Sequence, residues 1–316
     1  MTNLKVMYSA IVPIYNEEEN LDEIARRLVQ VLERIGPYEI VFVDDGSVDG
    51  SADIIGRLCG ANPSVKAIHF SRNFGHQAAV SAGLRYASGD AVAVIDGDLQ
   101  DPPELLPELF NKWREGYKVV YAIRQQRKEG LLKRAAYYLY YRLLRLIAEV
   151  EIPLDSGDFS VMDKVVVEKL NDMPESHRFI RGLRSWVGYS QVGVPYNRDA
   201  RFAGEPKYTW SGLIRLGYDG IFSFSKVPLL IATRIGLFIT LISVVGAFWT
   251  LGRKFILGVE PQGWTSLIIV VLMIGGIQLF VLGILGEYIG RIFEETKKRP
   301  SYIVAEKRNF QNDENG

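Results

Sequence analysis

Ala91–Pro103 reads AVAVIDGDLQDPP: five apolar residues, three of them β-branched, run into Asp96-Gly97-Asp98 and are closed by a proline pair. So short an apolar run is predicted to be a buried strand with carboxylates at its carboxyl end. The same pattern recurs upstream. Residues 6–14 end in Tyr15-Asn16-Glu17, Glu39–Val43 ends in Asp44-Asp45-Gly46-Ser47, and a strand over 66–70 ends in Ser71-Arg72-Asn73. Between the first two runs, Leu21, Ile24, Leu28, Val31, Leu32 and Ile35 recur at helical spacing, with Asn16 as the predicted cap. Further helices are predicted over 51–60 and 76–87, another from Pro102-Pro103 to Trp113, and a strand over Lys118–Ala122. Strands alternating with amphipathic helices predict an α/β domain, a parallel sheet with right-handed crossovers. Such sheets bind ligands beyond the carboxyl ends of their strands, where the polar clusters lie.

The residues narrow the chemistry. No G-x-G-x-x-G follows the first strand and no G-x-x-x-x-G-K-[ST] occurs, so a phosphate-bearing ligand must be neutralised otherwise. Asp96 and Asp98 flank Gly97 on a tight turn and can reach one hard cation, and oxygen ligands favour Mg²⁺ or Mn²⁺ over zinc. One cysteine, Cys59, excludes an intramolecular disulfide framework and a cysteine-rich zinc site. Lys+Arg 37 against Asp+Glu 37 leaves no basic field, so no nucleic-acid partner is expected.

Mean hydropathy of +0.05 is high for a chain with 23% charged residues, and the excess lies near the C-terminus. Residues 235–252 (IGLFITLISVVGAFWTLG) and 263–286 (GWTSLIIVVLMIGGIQLFVLGILG) carry no charge. A bilayer core takes about 20 apolar residues, so two spans are predicted, the first extended back through Val227–Thr233. Arg215, Lys226 and Arg234 precede the pair and Arg291, Lys297, Lys298 and Arg299 follow it, seven against Arg253 and Lys254 in the linker. That bias places the large domain and both termini in the cytoplasm. Nothing at the N-terminus reads as a signal peptide. The expected organisation is a cytoplasmic domain over 1–208, a juxtamembrane amphipathic segment over 209–226, spans over 227–252 and 263–289, and a cytoplasmic tail over 290–316 that is polar and mobile after Arg299. Residues 130–150, rich in leucine, tyrosine and basic residues, are predicted to form a helix in the headgroup layer or, alternatively, a core helix.

Taken together, Val12-Pro13-Ile14-Tyr15-Asn16-Glu17-Glu18, Val43-Asp44-Asp45-Gly46-Ser47, Ser71-Arg72-Asn73-Phe74-Gly75, Asp96-Gly97-Asp98-Leu99-Gln100-Asp101-Pro102-Pro103 and Gly157-Asp158-Phe159 are specific. The chain resembles the family 2 glycosyltransferases of GT-A fold, and within them the polyisoprenyl-phosphate glycosyltransferases, the group of the bactoprenol glucosyltransferases and dolichol-phosphate mannose synthase. The motifs cover about the first 160 residues, and the two-span region fits the bacterial subgroup and a bacterial inner membrane. The resemblance implies a nucleotide pocket lined by Pro13, Tyr15, Glu17 and Asp45, with Asp44 beside it. Asp96 would face ribose and diphosphate, and Asp98 with Gln100 would hold the metal. Arg124, Arg127, Arg201 and Lys207 would bind phosphate, although Pro206 stands where the family's basic loop has a small polar residue. Asp158 would act as base or as organiser of the acceptor.

The implied reaction is transfer of one hexose, glucose from UDP-glucose, to undecaprenyl phosphate. No Q-x-x-R-W motif of the processive synthases is present. Another sugar, N-acetylglucosamine, mannose or an amino-arabinose, would need the same machinery. A silent nucleotide-sugar binding protein is opposed by the intact Asp96, Asp98, Gln100 and Asp158, and a transporter by the small number of spans. Self-association into a homo-oligomer is left open.

Overall fold

A computed structural model describes residues 6–124, 156–175, 178–197, 227–257 and 263–310. Its described elements fall into two units, the first holding the sheet and the second the long apolar helices.

In the first unit the chain runs β1 (Tyr8–Ile14), α1 (Glu18–Leu32), β2 (Tyr38–Asp44), α2 (Ser51–Ala61), β3 (Val65–Phe70), α3 (His76–Tyr86) and β4 (Ala91–Val94). A 3₁₀ turn, Pro103–Leu105, leads into α4 (Leu106–Arg114), then β5 (Val119–Arg124). Later come β6 (Ser156–Asp163), α5 (Lys164–Asp172), α6 (Ile180–Trp186), β7 (Gln191–Tyr196) and β8 (Val304–Arg308). The strands form one sheet in the order β7-β5-β6-β4-β1-β2-β3-β8. All seven residues of β1 are buried, as a central strand covered on both faces requires. Helix α1 turns Leu21, Ile24, Ala25, Leu28 and Leu32 inward, on the face set by its 3.6-residue period.

The parallel block β3-β2-β1-β4 matches the expected architecture. The strand order reverses between β1 and β4, where an open α/β sheet leaves a crevice at its carboxyl edge. The sheet as a whole is mixed rather than parallel: β6 runs antiparallel to β4 and β5, and β8 antiparallel to β3. Two further expectations are corrected. Asn16 does not cap α1; its φ is +53°, its Oδ1 accepts the Val48 N–H at 2.9 Å, and Glu17 holds the cap position. Nor is the tail a free end, because five of its residues are β8. Its charged side chains hid it, since an edge strand can be polar on its open side.

The second unit contains α7 (Val227–Leu257) and α8 (Trp264–Lys297). Among the described residues, Met273–Lys297 is long and apolar enough to cross a membrane, and Ala232–Gly246 is a shorter apolar helical stretch. Leu237 and Phe280 are 72% and 66% exposed, so their side chains find no protein core. The expected headgroup-layer helix at 130–150 and amphipathic segment at 209–226 lie outside the described residues.

Candidate active site

The loops after β1, β2 and β3 are laced together at the carboxyl edge. The Asn16 N–H donates to Ser47 Oγ at 3.0 Å and the Glu17 N–H to Ser51 Oγ at 3.1 Å. Asp44 Oδ1 accepts the Ser47 N–H at 3.0 Å, and Oδ2 lies 3.0 Å from His69 Nδ1. Burial works against the Asp44 anion, but the His69 and Ser47 hydrogen bonds outweigh it and hold its pKa below the ordinary value. Asp45 grips the next loop, its two oxygens accepting the Phe74 N–H at 2.6 Å and the Gly75 N–H at 2.9 Å. Burial moves Asp45 the other way, upward, against the pull of those amides. Gly46 makes this closure sterically feasible. It sits at φ +69°, and a Cβ there would lie 2.5 Å from the Arg72 carbonyl carbon and 2.7 Å from the Asn73 nitrogen.

These loops surround a pocket of about 600 Å³ lined by Tyr15, Asp44, His69, Arg72, Glu306 and Arg308 among others. Of the expected nucleotide residues, Tyr15 and Asp44 line it. Pro13 pairs with Val43 inside the sheet, Glu17 Oε2 holds Asn20 Nδ2 at 2.6 Å, and Asp45 fastens the wall from behind.

A second group lies at the end of β4. Gly97 lets that turn approach β1, since a Cβ there would meet Ile14 Cδ1 at 2.6 Å and the Pro13 carbonyl at 3.4 Å. Asp98 is buried and its Oδ1 accepts the Gln100 N–H at 3.1 Å across Leu99, whose φ is +58°. Asp96 Oδ1 is buried with no hydrogen-bond partner among the described residues, and burial pushes its pKa up to about 6 despite nearby His76. Among the described residues its ion-pair partner is His76, with Nε2 at 3.8 Å, and that nitrogen lies 3.3 Å from Asp158 Oδ2 as well. Asp158 Oδ1 is 3.3 Å from Arg181. Burial would raise the Asp158 pKa, but Arg181 and His76 override it and hold the carboxyl far below the usual range. On His76 the Asp158 hydrogen bond overrides burial and lifts the imidazole to about 9.

His76 and Arg181 were not anticipated from the sequence. They reach Asp158 from helices α3 and α6, 82 and 23 residues away, and no spacing announces such a convergence. The one available signal was position, since His76 opens the helix that follows the Ser71–Gly75 cluster. Behind them Arg184 is 1% exposed over the Tyr121 ring, and burial lowers its pKa to about 10. Arg124 faces inward too, with Nε 3.3 Å from Tyr196 Oη and a guanidinium nitrogen 3.9 Å from Asp101. Arg127, Arg201 and Lys207 lie outside the described residues.

Among the described residues no three His, Cys, Asp or Glu side chains form a metal cage. Two carboxylates with an unsatisfied buried oxygen nevertheless fit a Mg²⁺-like ion, which takes one or two carboxylates and completes its shell with phosphate and water.

Comparison with known proteins places the chain in a family. Residues 9–170 match the profile described as Glycosyl transferase family 2. The chain belongs to glycosyl transferase family 2. It is therefore a glycosyltransferase, and the mixed sheet with its carboxyl-edge carboxylates is of GT-A type. An uncharacterized glycosyltransferase of Bacillus subtilis is 45% identical over 97% of this chain and 96% of its own. The bactoprenol glucosyl transferase of Shigella phage SfV is 42% identical over 94% and 97%, as is a prophage bactoprenol glucosyl transferase homolog of Escherichia coli. Among solved structures, glucosyl-3-phosphoglycerate synthase of Mycobacterium tuberculosis, with Mn²⁺, UDP and glucosyl-3-phosphoglycerate, is 19% identical, covers 68% of this chain and 76% of that one, and gives a TM-score of 0.45.

Proposed function

We propose that the protein transfers a single glucose from UDP-glucose to a polyprenyl phosphate, undecaprenyl phosphate, at the cytoplasmic face of a bacterial inner membrane. The observation that carries this reading is the identity of 42% with bactoprenol glucosyl transferases over nearly the full length of both chains, the apolar helices included. In this reading α7 and α8 form a two-span hairpin that holds both termini in the cytoplasm, as the seven-to-two bias of basic residues favours.

The lipid phosphate oxygen attacks the anomeric carbon, a C–O bond forms, and the bond to the departing UDP breaks with inversion. A phosphate monoester has a second pKa of about 6 and arrives mostly ionised, so it needs no strong base. Asp158, gripped by Arg181 and His76, is a poor proton acceptor and serves as the organiser of the acceptor side. Tyr15 and Asp44, with Pro13, Glu17 and Asp45 holding the loops around them, receive the nucleoside. Arg124, Arg127, Arg201 and Lys207 neutralise phosphate. Mg²⁺ or Mn²⁺ would be held by Asp96, Asp98 and Gln100 and, when bound, would offset the diphosphate's negative charge.

The test is transfer in detergent from a panel of radiolabelled nucleotide sugars to undecaprenyl phosphate, with and without EDTA. Label entering the lipid from UDP-glucose alone supports the reading. Label from another sugar keeps the enzyme class and replaces the donor, and turnover that survives EDTA removes the metal.

A further inference from the structure

The last strand of the sheet comes from beyond the apolar helices. β8 follows α8 in sequence and pairs antiparallel with β3, Ala67 opposite Arg308 and His69 opposite Glu306. The pairing is secured at both ends. The Ser71 N–H donates to the Ile303 carbonyl at 3.0 Å, and the Tyr302 ring stacks on Phe70 at 5.0 Å and 9°. Asn309 Nδ2 reaches the Cys59 and Val65 carbonyls, each at 2.8 Å.

Strand alternation puts Glu306 and Arg308 on one face, and both line the same pocket as Tyr15, Asp44 and Arg72. Glu306 Oε1 holds Arg308 Nε at 2.6 Å. Gly56 of α2 leaves room for the guanidinium, since a Cβ there would lie 2.2 Å from one of its nitrogens. Asp44, Asp53 and Glu306 against Arg72 and Arg308 give the lining three carboxylates and two guanidinium groups. With His69 also on the lining beside Asp44, there is no surplus of positive charge to hold a diphosphate, and the donors and acceptors suit an uncharged group such as a nucleobase with its ribose.

We infer that β8 is a working wall of the donor site, with Glu306 and Arg308 contacting the nucleoside of the nucleotide sugar. The inference rests on the nucleotide-sugar reading above and assigns to one end of that ligand two residues that no sequence motif marks. Its consequence is that donor affinity depends on residues that follow the apolar helices in sequence.

Glu306→Gln and Arg308→Gln are the variants of choice, since both side chains are about half exposed and neither is part of the core. UDP binding to the full-length protein in detergent is measured by calorimetry, and a photoreactive 5-azido-UDP probe is mapped by peptide mass spectrometry. The expected result is a UDP Kd raised roughly fivefold to tenfold in each variant, the loss of one polar contact, with label on the peptide spanning 302–308 in the unaltered protein. An unchanged Kd in both variants overturns the inference, as does label confined to residues before 125. If the unaltered protein binds no UDP at all, the nucleotide reading itself falls, and the inference with it.

Discussion

Replacing Glu39 would test how the sheet is tied at the edge opposite the site. Its carboxylate is fully buried at the start of β2 and joins three elements. Oε1 accepts from Ser9 Oγ of β1 at 2.5 Å and from the Ser88 N–H at 2.6 Å, while Oε2 lies 2.5 Å from Lys66 Nζ of β3. Burial alone would raise its pKa, but Lys66, Ser88 and Ser9 together bring it below the ordinary value. Glu39→Ala removes all three bonds and leaves Lys66 facing a hole, a loss of about 3–5 kcal/mol. Glu39→Gln can keep Oε1 for Ser9 and Ser88 but turns an amide toward the ammonium, and should cost about 1.5–3 kcal/mol. Because the folded pKa is the lower one, the carboxylate's stabilisation is complete above the unfolded value, near 4.3, and disappears as pH falls through the folded value. The gap between unaltered protein and Glu39→Gln should therefore close on acidification below about pH 4.5. Urea unfolding of the detergent-solubilised protein, followed by tryptophan fluorescence at several pH values, measures both. A cost under about 1 kcal/mol for Glu39→Ala, or a gap that widens in acid, would refute the reasoning.

Three further outcomes follow from the site. Asp98→Ala should lower transfer by about 100-fold or more while UDP-independent folding, read by circular dichroism, is unchanged; near-normal turnover would remove Asp98 from the metal site. Asp158→Asn should depress kcat without moving the pH profile, as an organiser would, whereas a strongly displaced profile would make it the base. Gly46→Ala forces a side chain into a left-handed backbone position against the Arg72–Asn73 backbone, so it should cost at least about 1–2 kcal/mol in the same urea assay and raise the donor KM; a neutral result would show that the two loops are not in contact.

Much of this was legible because the carboxyl edge of a parallel sheet writes itself into sequence as apolar runs ending in polar clusters. β1 to β4 and the turn Asp96–Asp98 were found that way, and α1 by its buried stripe. What was not legible has physical reasons. β8 reads VAEKR, and on an edge strand the charges that face water erase the apolar signal. β6 (Ser156–Asp163) contains Gly157-Asp158-Phe159, the motif that supplies Asp158, so the residues that mark it as a site conceal it as a strand. The antiparallel insertion of β6 between β4 and β5 cannot be inferred from local pattern, because it depends on a pairing across more than sixty residues. His76 and Arg181 belong to the same class: each is an ordinary helix residue until the fold brings Asp158 between them.

The central claim is that one sugar moves to a lipid phosphate. Its most direct test is to incubate the full-length protein with UDP-[¹⁴C]glucose, Mg²⁺ and undecaprenyl phosphate, then to weigh the organic-phase product by mass spectrometry. The account predicts undecaprenyl phosphate carrying a single hexose, formed from the phosphate and not from undecaprenol. A product with several hexoses, transfer to the alcohol, or no lipid-borne label from any nucleotide sugar would contradict it.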